Sequence, residues 1–181
     1  MSQAQQTSHK PRKMYIDIDG VLVVWDSRHN CIELARGFGR LMRFCKINDI
    51  QPYWLSMWAL FPGSLEGVNC LLWPKTCPTM AHPQPLVYDR AAGKATMIDF
   101  ESDFVWIEDG LGDKDLAALT QHNAMDRFYW TDGTDGDCLI KFMEFTRQRL
   151  ALPIHDEWGP AWDSTFSRPR DRNTSYYGLK P

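Results

Sequence analysis

Two aspartates near the start of the chain have the type and spacing of a phosphoryl-transfer site. Asp17 and Asp19 follow a short apolar run that begins at Met14, and Gly20 comes next. A carboxylate at the position of Asp17 can attack phosphorus and bind a metal ion, while Asp19 can reach the leaving oxygen. Gly20 allows the tight turn at this point. Because Asp-Gly is also a common turn dipeptide, the pattern by itself fits an ordinary turn equally well.

Polar residues end two further apolar runs. Ser56 ends a run that begins at Pro52, and Glu108 and Asp109 follow the run of residues 104–107. Ligands of an open parallel sheet bind beyond the carboxyl ends of its strands. We therefore expect these side chains to meet the two aspartates at one edge of a sheet.

The elements that must position these residues read as an α/β fold. The apolar runs are continuous rather than alternating, and they alternate along the chain with helical patterns, which is typical of a parallel sheet covered on both faces. The pattern predicts strands over residues 14–18, 52–56, 104–107 and 127–131, and helices over 29–48, 113–120 and 137–150. In the first of these helices, Leu34 and Ala35 are assigned to the buried face.

Composition excludes several classes of protein. A net charge of -3 and a hydrophobic content of 44% do not suggest an obligate nucleic-acid binder or a globally disordered chain. No apolar run approaches the roughly 18 residues of a membrane span, and the polar start lacks the centre of a signal peptide. Five scattered cysteines without a CxxC pair indicate reduced thiols rather than a disulfide or zinc framework. We expect a cytoplasmic protein without a membrane partner.

Taken together, these segments resemble the haloacid dehalogenase (HAD) superfamily. The resemblance covers roughly residues 13–150 and rests on four segments in this order: IDIDGVLV, YWLSMW, FVWIEDG and YWTDGTDG. More narrowly, the chain resembles the HAD domain found in Swiss Army Knife RNA repair proteins. The chain departs from the pattern at Ser56, where threonine is frequent, and at Glu108-Asp109, where two aspartates are frequent. The fold implied is a doubly wound, Rossmann-like parallel sheet.

The resemblance implies a Mg²⁺-dependent phosphatase that works through an aspartyl-phosphate. Asp17 would be the nucleophile and a metal ligand. Asp19 would protonate the leaving oxygen and later activate water, and its backbone carbonyl would bind the metal. Asp109 would bind the metal through its carboxylate.

The remaining site residues are also assigned through the resemblance. Ser56 and Lys94 would bind the transferring phosphoryl group; Lys94 is preferred to Lys75 because it stands just before the fourth motif. Glu108 or Asp113 would hold metal-bound waters or the lysine. Asp113 also begins a predicted helix, where an acid is favourable without any catalytic role.

The composition along the chain, together with the extent of the resemblance, divides it into three parts. Residues 1–12 are expected to be a disordered leader, residues 13–152 the catalytic domain, and residues 153–181 a tail rich in proline, aromatic residues and arginine. Cap domains of this superfamily follow the first motif or precede the lysine. Neither place has room for more than a small lid, so the resemblance implies little or no cap.

An open site suits bulky phosphates, and the family points to nucleic-acid ends. The expected partner is a phosphorylated substrate, either a polynucleotide or a nucleotide. Four tryptophans can stack on bases or belong to the core: Trp25, Trp54, Trp58 and Trp73. Two alternatives stay open, namely an inactive binding protein on this fold and a phosphotransferase that uses the same site. The pattern favours no particular oligomeric state.

Overall fold

Five parallel strands form the central sheet of this protein. The computed structural model describes residues 10–26, 31–61, 63, 65 and 81–153. Its strands are β1 (Arg12–Ile16), β2 (Val23–Asp26), β3 (Cys31–Leu34), β4 (Ile50–Trp54), β5 (Gln84–Pro85), β6 (Asp103–Glu108) and β7 (Phe128–Trp130). The sheet has the order β5-β4-β1-β6-β7, and β2 and β3 form a separate antiparallel hairpin.

Strand β1 lies at the centre because its apolar side chains are buried on both faces of the sheet. Ile16 pairs with Trp54 on one side and with Ile107 on the other. Met14 and Ile16 point into one apolar cluster, whereas Tyr15 points into a second cluster on the opposite face. This alternation explains why the run shows no polar positions.

Helices cover both faces of the sheet. Helices α1 (Phe38–Ile47) and α3 (Cys138–Arg149) contribute to the cluster around Ile16. Helix α2 (Asp113–Gln121) and the short 3-10 helix Lys94–Met97 cover the face of Tyr15. The predicted α/β class, the parallel sheet and its four strands are therefore confirmed.

The first predicted helix was wrong over its first part. Within residues 29–48, Leu34 belongs to β3 and Ala35 follows that strand, so neither lies on a helix. The helix begins only at Phe38, because Gly37 has φ 90 and its backbone turns there. The hairpin β2–β3 instead pairs its own backbone and returns the chain to the loop after β7, where the N–H of Arg36 donates to the carbonyl of Gly136 over 2.7 Å.

The sequence pattern also missed β5, which has only two residues. Its proline and the prolines before it disfavoured a strand, but at the edge of the sheet β5 pairs only with β4. The predicted leader and tail fall almost wholly outside the described residues, as does Lys75. Cys45 and Cys138 are buried free thiols. No helix in the described ranges combines the length and apolar character needed to cross a bilayer.

The two-faced packing of the sheet predicts a sharp difference between two tryptophans. Trp106 is 0% exposed and packs edge-on against Phe128, whereas Trp130 is 62% exposed. We expect Trp106→Ala to lower the free energy of unfolding by about 3–5 kcal/mol, because it leaves a large cavity. The matched change Trp130→Ala should cost less than about 0.5 kcal/mol. Urea denaturation measures both, and similar losses would contradict the packing described.

Candidate functional site

The carboxyl ends of the three central strands border one cleft of about 320 Å³. Asp17 directly follows β1, Ser56 lies two residues after β4, and Glu108 ends β6 with Asp109 next to it. Lys94 reaches the same cleft from the start of its 3-10 helix. The structure thus brings together these five predicted residues, drawn from four separate segments of the chain.

A buried lysine joins two buried carboxyl groups at the floor of the cleft. Lys94 Nζ lies 3.0 Å from Asp17 Oδ1 and 2.5 Å from Glu108 Oε2. Asp17 is only 4% exposed, and Glu108 is buried as well. The contact of Lys94 with Asp17 Oδ1 is an ion pair without aligned hydrogen-bond geometry, and a hydrogen bond from Ser56 also acts on the Asp17 carboxyl. Asp17 Oδ1 therefore has an ion-pair partner but no aligned hydrogen bond from a described residue.

The electrostatics of this cluster favour an additional positive charge. Burial raises the pKa of the Asp17 carboxyl, and the charge of Lys94 opposes this shift. Burial and the charge of Asp17 raise the pKa of Glu108 to about 10. Burial alone would lower the pKa of Lys94, but the charges of Asp17 and Glu108 outweigh it and raise that pKa. Because one lysine faces two carboxyls, a proton or a metal cation stabilises the cluster.

Three carboxyl groups lie close enough together to hold a metal ion. Oxygens of Asp17, Glu108 and Asp109 all lie within 4.8 Å of one another. Gly20 makes room for Asp109, because a Cβ at Gly20 would lie 2.7 Å from Asp109 Cβ. Gly20 also has φ 71, which disfavours other residues. The glycine predicted for a tight turn thus also admits one of the three carboxylates.

Asp19 lies in the same cleft but turns its carboxylate towards a tryptophan. Asp19 Oδ2 accepts a hydrogen bond of 2.9 Å from Trp58 Nε1. No described donor reaches the backbone carbonyl of Asp19. Trp58 is partly buried, and its indole N–H gives it a contact that the sequence pattern did not suggest.

The other tryptophans have different surroundings. Trp54 is fully buried and stacks on Phe38 with 5.7 Å between ring centroids, so it belongs to the core. Trp25 is 41% exposed on the β2–β3 hairpin. Trp73 lies outside the described residues.

Asp115 is the acid of helix α2 that borders the cleft. Asp113 does not border it. Both lie in the first turn, but residues two positions apart point to different sides of a helix. Asp113 is exposed, whereas Asp115 is 8% exposed and accepts a 2.7 Å hydrogen bond from the N–H of Ala95. The family resemblance assigned Asp113; only the rotational phase of α2 shows which acid turns inward.

Two more residues of the cleft were not predicted. Tyr88 and Arg90 lie on the segment between β5 and Lys94 and line the cleft beside the charged cluster. Burial raises the pKa of Tyr88, while the nearby charge of Lys94 opposes the shift. Nothing in the local sequence distinguishes these two residues from ordinary loop residues.

No protein-family model, curated protein or solved structure shows significant similarity to this chain.

The contact of Asp115 predicts a graded effect of substitution. Asp115→Ala removes the acceptor of the buried Ala95 N–H, which should lower the free energy of unfolding by about 1–3 kcal/mol. Asp115→Asn keeps a side-chain oxygen and should lose clearly less. Urea denaturation at one pH compares the two variants. Equal losses would show that the charge of Asp115, and not its hydrogen bond, stabilises this turn.

Proposed function

We propose that this protein is a Mg²⁺-dependent phosphatase of the haloacid dehalogenase type that hydrolyses phosphate monoesters through an aspartyl-phosphate on Asp17. The observation that carries this proposal is the state of Asp17 Oδ1. This atom is buried at the tip of the central strand, lies 3.0 Å from Lys94 Nζ and accepts no aligned hydrogen bond from the described residues. Such an oxygen is suited to attack a bound phosphoryl group.

The order of the strands supports the doubly wound, HAD-like arrangement. From β1 the chain proceeds to β4 and β5 on one side, and then crosses back to β6 and β7 on the other side. In sheets of this kind, ligands bind where the direction of winding reverses, beyond the carboxyl ends of the strands. Asp17 lies at that point, between β4 and β6.

The residues of the cleft fit a magnesium ion. Asp17 and Asp109 offer carboxylate oxygens close to each other, and Glu108 lies within the same group. The Asp19 carbonyl, which has no described donor, is a further oxygen of the kind that Mg²⁺ binds. When bound, the ion would reduce the repulsion between the nucleophile and an anionic phosphate and stabilise charge on the phosphoryl oxygens.

The side chains then account for both halves of the reaction. A carboxylate oxygen of Asp17 bonds to phosphorus while the bond from phosphorus to the ester oxygen breaks. Asp19 gives a proton to that oxygen; Trp58 Nε1 binds Asp19 Oδ2, which leaves Asp19 Oδ1 for the proton. Water next attacks the phosphorus of the aspartyl-phosphate, Asp19 takes its proton, and free Asp17 and inorganic phosphate result.

Lys94 and Ser56 would bind the phosphoryl group during transfer. Lys94 supplies positive charge beside Asp17, and Ser56 supplies a hydroxyl from the end of β4. Asp19 and Asp109 are exposed, whereas Asp17 and Glu108 are buried. Between Asp19 and α1 the described chain forms only a turn and the β2–β3 hairpin. These features favour a site without a cap after the first motif, and a bulky phosphate ester or a nucleic-acid end as the substrate. At the second place for a cap, between Ser56 and Lys94, residues 66–80 lie outside the described residues.

The nucleophile assignment predicts the result of a single isosteric change. We expect the purified chain to release phosphate from p-nitrophenyl phosphate with Mg²⁺, and Asp17→Asn to lower kcat by at least ~10³-fold because the amide cannot form the acyl phosphate. Asp126→Asn, which alters an exposed acid paired with Arg149, should keep full activity. Activity that persists in Asp17→Asn would refute the assignment.

Two further outcomes of the same assay favour the alternatives. Transfer of the phosphoryl group to an added alcohol in preference to water would indicate a phosphotransferase. Absence of turnover over a panel of phosphorylated nucleotides, sugars and oligonucleotides would indicate a binding protein.

The close approach of Asp109 to Gly20 predicts that a side chain at position 20 weakens metal binding. Mg²⁺ at about 100 times its Kd should raise the free energy of unfolding by about 2.7 kcal/mol, since it binds only the folded chain. Gly20→Ala should abolish most of this increment, because the new Cβ overlaps the side chain of Asp109. Gly136→Ala is the matched control, since nothing lies within 4 Å of its added Cβ. An unchanged increment in Gly20→Ala would exclude Asp109 as a ligand.

A further inference from the structure

The cleft contains a cation that no described carboxylate neutralises. Of its two basic side chains, Lys94 is paired with Asp17 and Glu108. Arg90 is exposed at the same cleft, and within the described ranges it forms no ion pair and no hydrogen bond. A guanidinium beside several carboxylates, with none of them bound to it, is available to an anionic ligand.

Tyr88 lines the same cleft as this arginine and the lysine cluster. Its side chain is 8% exposed, and its hydroxyl has no hydrogen-bond partner among the described residues. Its phenol is close enough to the cluster to feel the charges of Lys94, Asp17 and Glu108, and it also feels the charge of Arg90. The cleft thus contains a neutral hydroxyl donor in addition to the free guanidinium.

The turn that carries Arg90 is held in place from both sides. The N–H groups of Ala92 and Gly93 donate to the carbonyl of Asp89 over 2.9 and 3.0 Å, and Asp89 Oδ1 accepts from the N–H of Ala91 over 2.8 Å. From helix α2, Lys114 Nζ donates to the carbonyl of Ala91. The backbone at Arg90 is therefore ordered without any ligand, which lowers the entropic cost of binding.

We propose that Arg90 and Tyr88 form a subsite for a second phosphate group of the substrate, next to the phosphate monoester that Asp17 attacks. This subsite rests on the proposed function. The planar guanidinium binds phosphate oxygens through two parallel hydrogen bonds, and the phenol donates a third. Arg90 also offsets the repulsion that the carboxylates of the cleft exert on a polyanion. The substrate class is a nucleoside bisphosphate or an oligonucleotide whose terminal phosphate is followed by a phosphodiester.

Equilibrium binding tests this subsite separately from turnover. The full chain with Asp17→Asn, in Mg²⁺, is titrated calorimetrically with adenosine 3′,5′-bisphosphate, with each adenosine monophosphate, and with a 5′-phosphorylated dinucleotide. We expect the bisphosphate or the dinucleotide to bind about tenfold more tightly than the monophosphates, as one charge-assisted contact provides. The tighter of these two ligands identifies the source of the second phosphate.

Substitutions then test whether Arg90 and Tyr88 cause the tighter binding of the ligand with two phosphates. Adding Arg90→Gln should reduce the preference from about tenfold to about onefold, and Tyr88→Phe should reduce it about twofold to threefold. Lys46→Gln, an exposed cation on α1 outside the cleft, should keep the full preference. Melting temperatures of all variants confirm that they are folded.

Each result decides between the two proposals. Equal affinity for mono- and bisphosphates, no detectable binding of either, or a preference that survives Arg90→Gln would overturn the subsite. Hydrolysis of p-nitrophenyl phosphate by the unaltered chain is measured in parallel. Turnover without the preference refutes the subsite alone, and an Arg90-dependent preference without turnover refutes the phosphatase alone.

Discussion

The ion cluster of Asp17, Lys94 and Glu108 is the interaction on which the arrangement of the cleft depends. Strands β1 and β6 are neighbours, and the N–H of Asp17 donates to the carbonyl of Ile107 over 3.2 Å. Their ends therefore bring two buried carboxyls side by side, at about the 4.8 Å spacing of adjacent strands. Two such groups repel each other strongly in a poorly solvated place. Lys94, which contacts both, makes the arrangement possible.

The position of Lys94 depends in turn on a contact that is remote in the chain. Its 3-10 helix begins after Gly93, where helix α2 approaches so closely that a Cβ would lie 2.7 Å from Asp115 Oδ1. The same oxygen binds the N–H of Ala95, the residue after the lysine. Helix α2 thus holds the backbone on both sides of Lys94. It also holds the turn of Arg90 through Lys114, so one helix terminus orders two different parts of the cleft.

Burial of charge is costly, and the apolar packing of the sheet offsets it. A buried ion pair contributes little net stability, because desolvation cancels much of the attraction. The surrounding strands instead gain stability from side chains buried on both faces, among them Trp54, Trp106 and Phe104. The fold supports this ion cluster, and an added cation would stabilise it further. These are the properties expected of a site that binds a metal and then a phosphate.

Much of the fold, and the identity of the polar residues at the strand ends, was predictable from the sequence. Strands β1, β4 and β6 are continuous apolar runs, and the polar residues after them must lie at one edge of a parallel sheet, whatever the details of packing. That rule alone brings together Asp17, Ser56 and Asp109. It contains no information on side chains that reach the edge from loops.

The tertiary structure decided which residues complete the cleft. Arg90 and Tyr88 are indistinguishable from other loop residues in the sequence, and only the folded chain places the segment after β5 at the cleft. The choice of Asp115 over Asp113 follows from the rotation of α2, which its packing sets. The sequence by itself thus determined the sheet and the acids at its edge, since these depend on local periodicity. The partners of those acids depend on contacts between distant segments, and only the folded chain defines them.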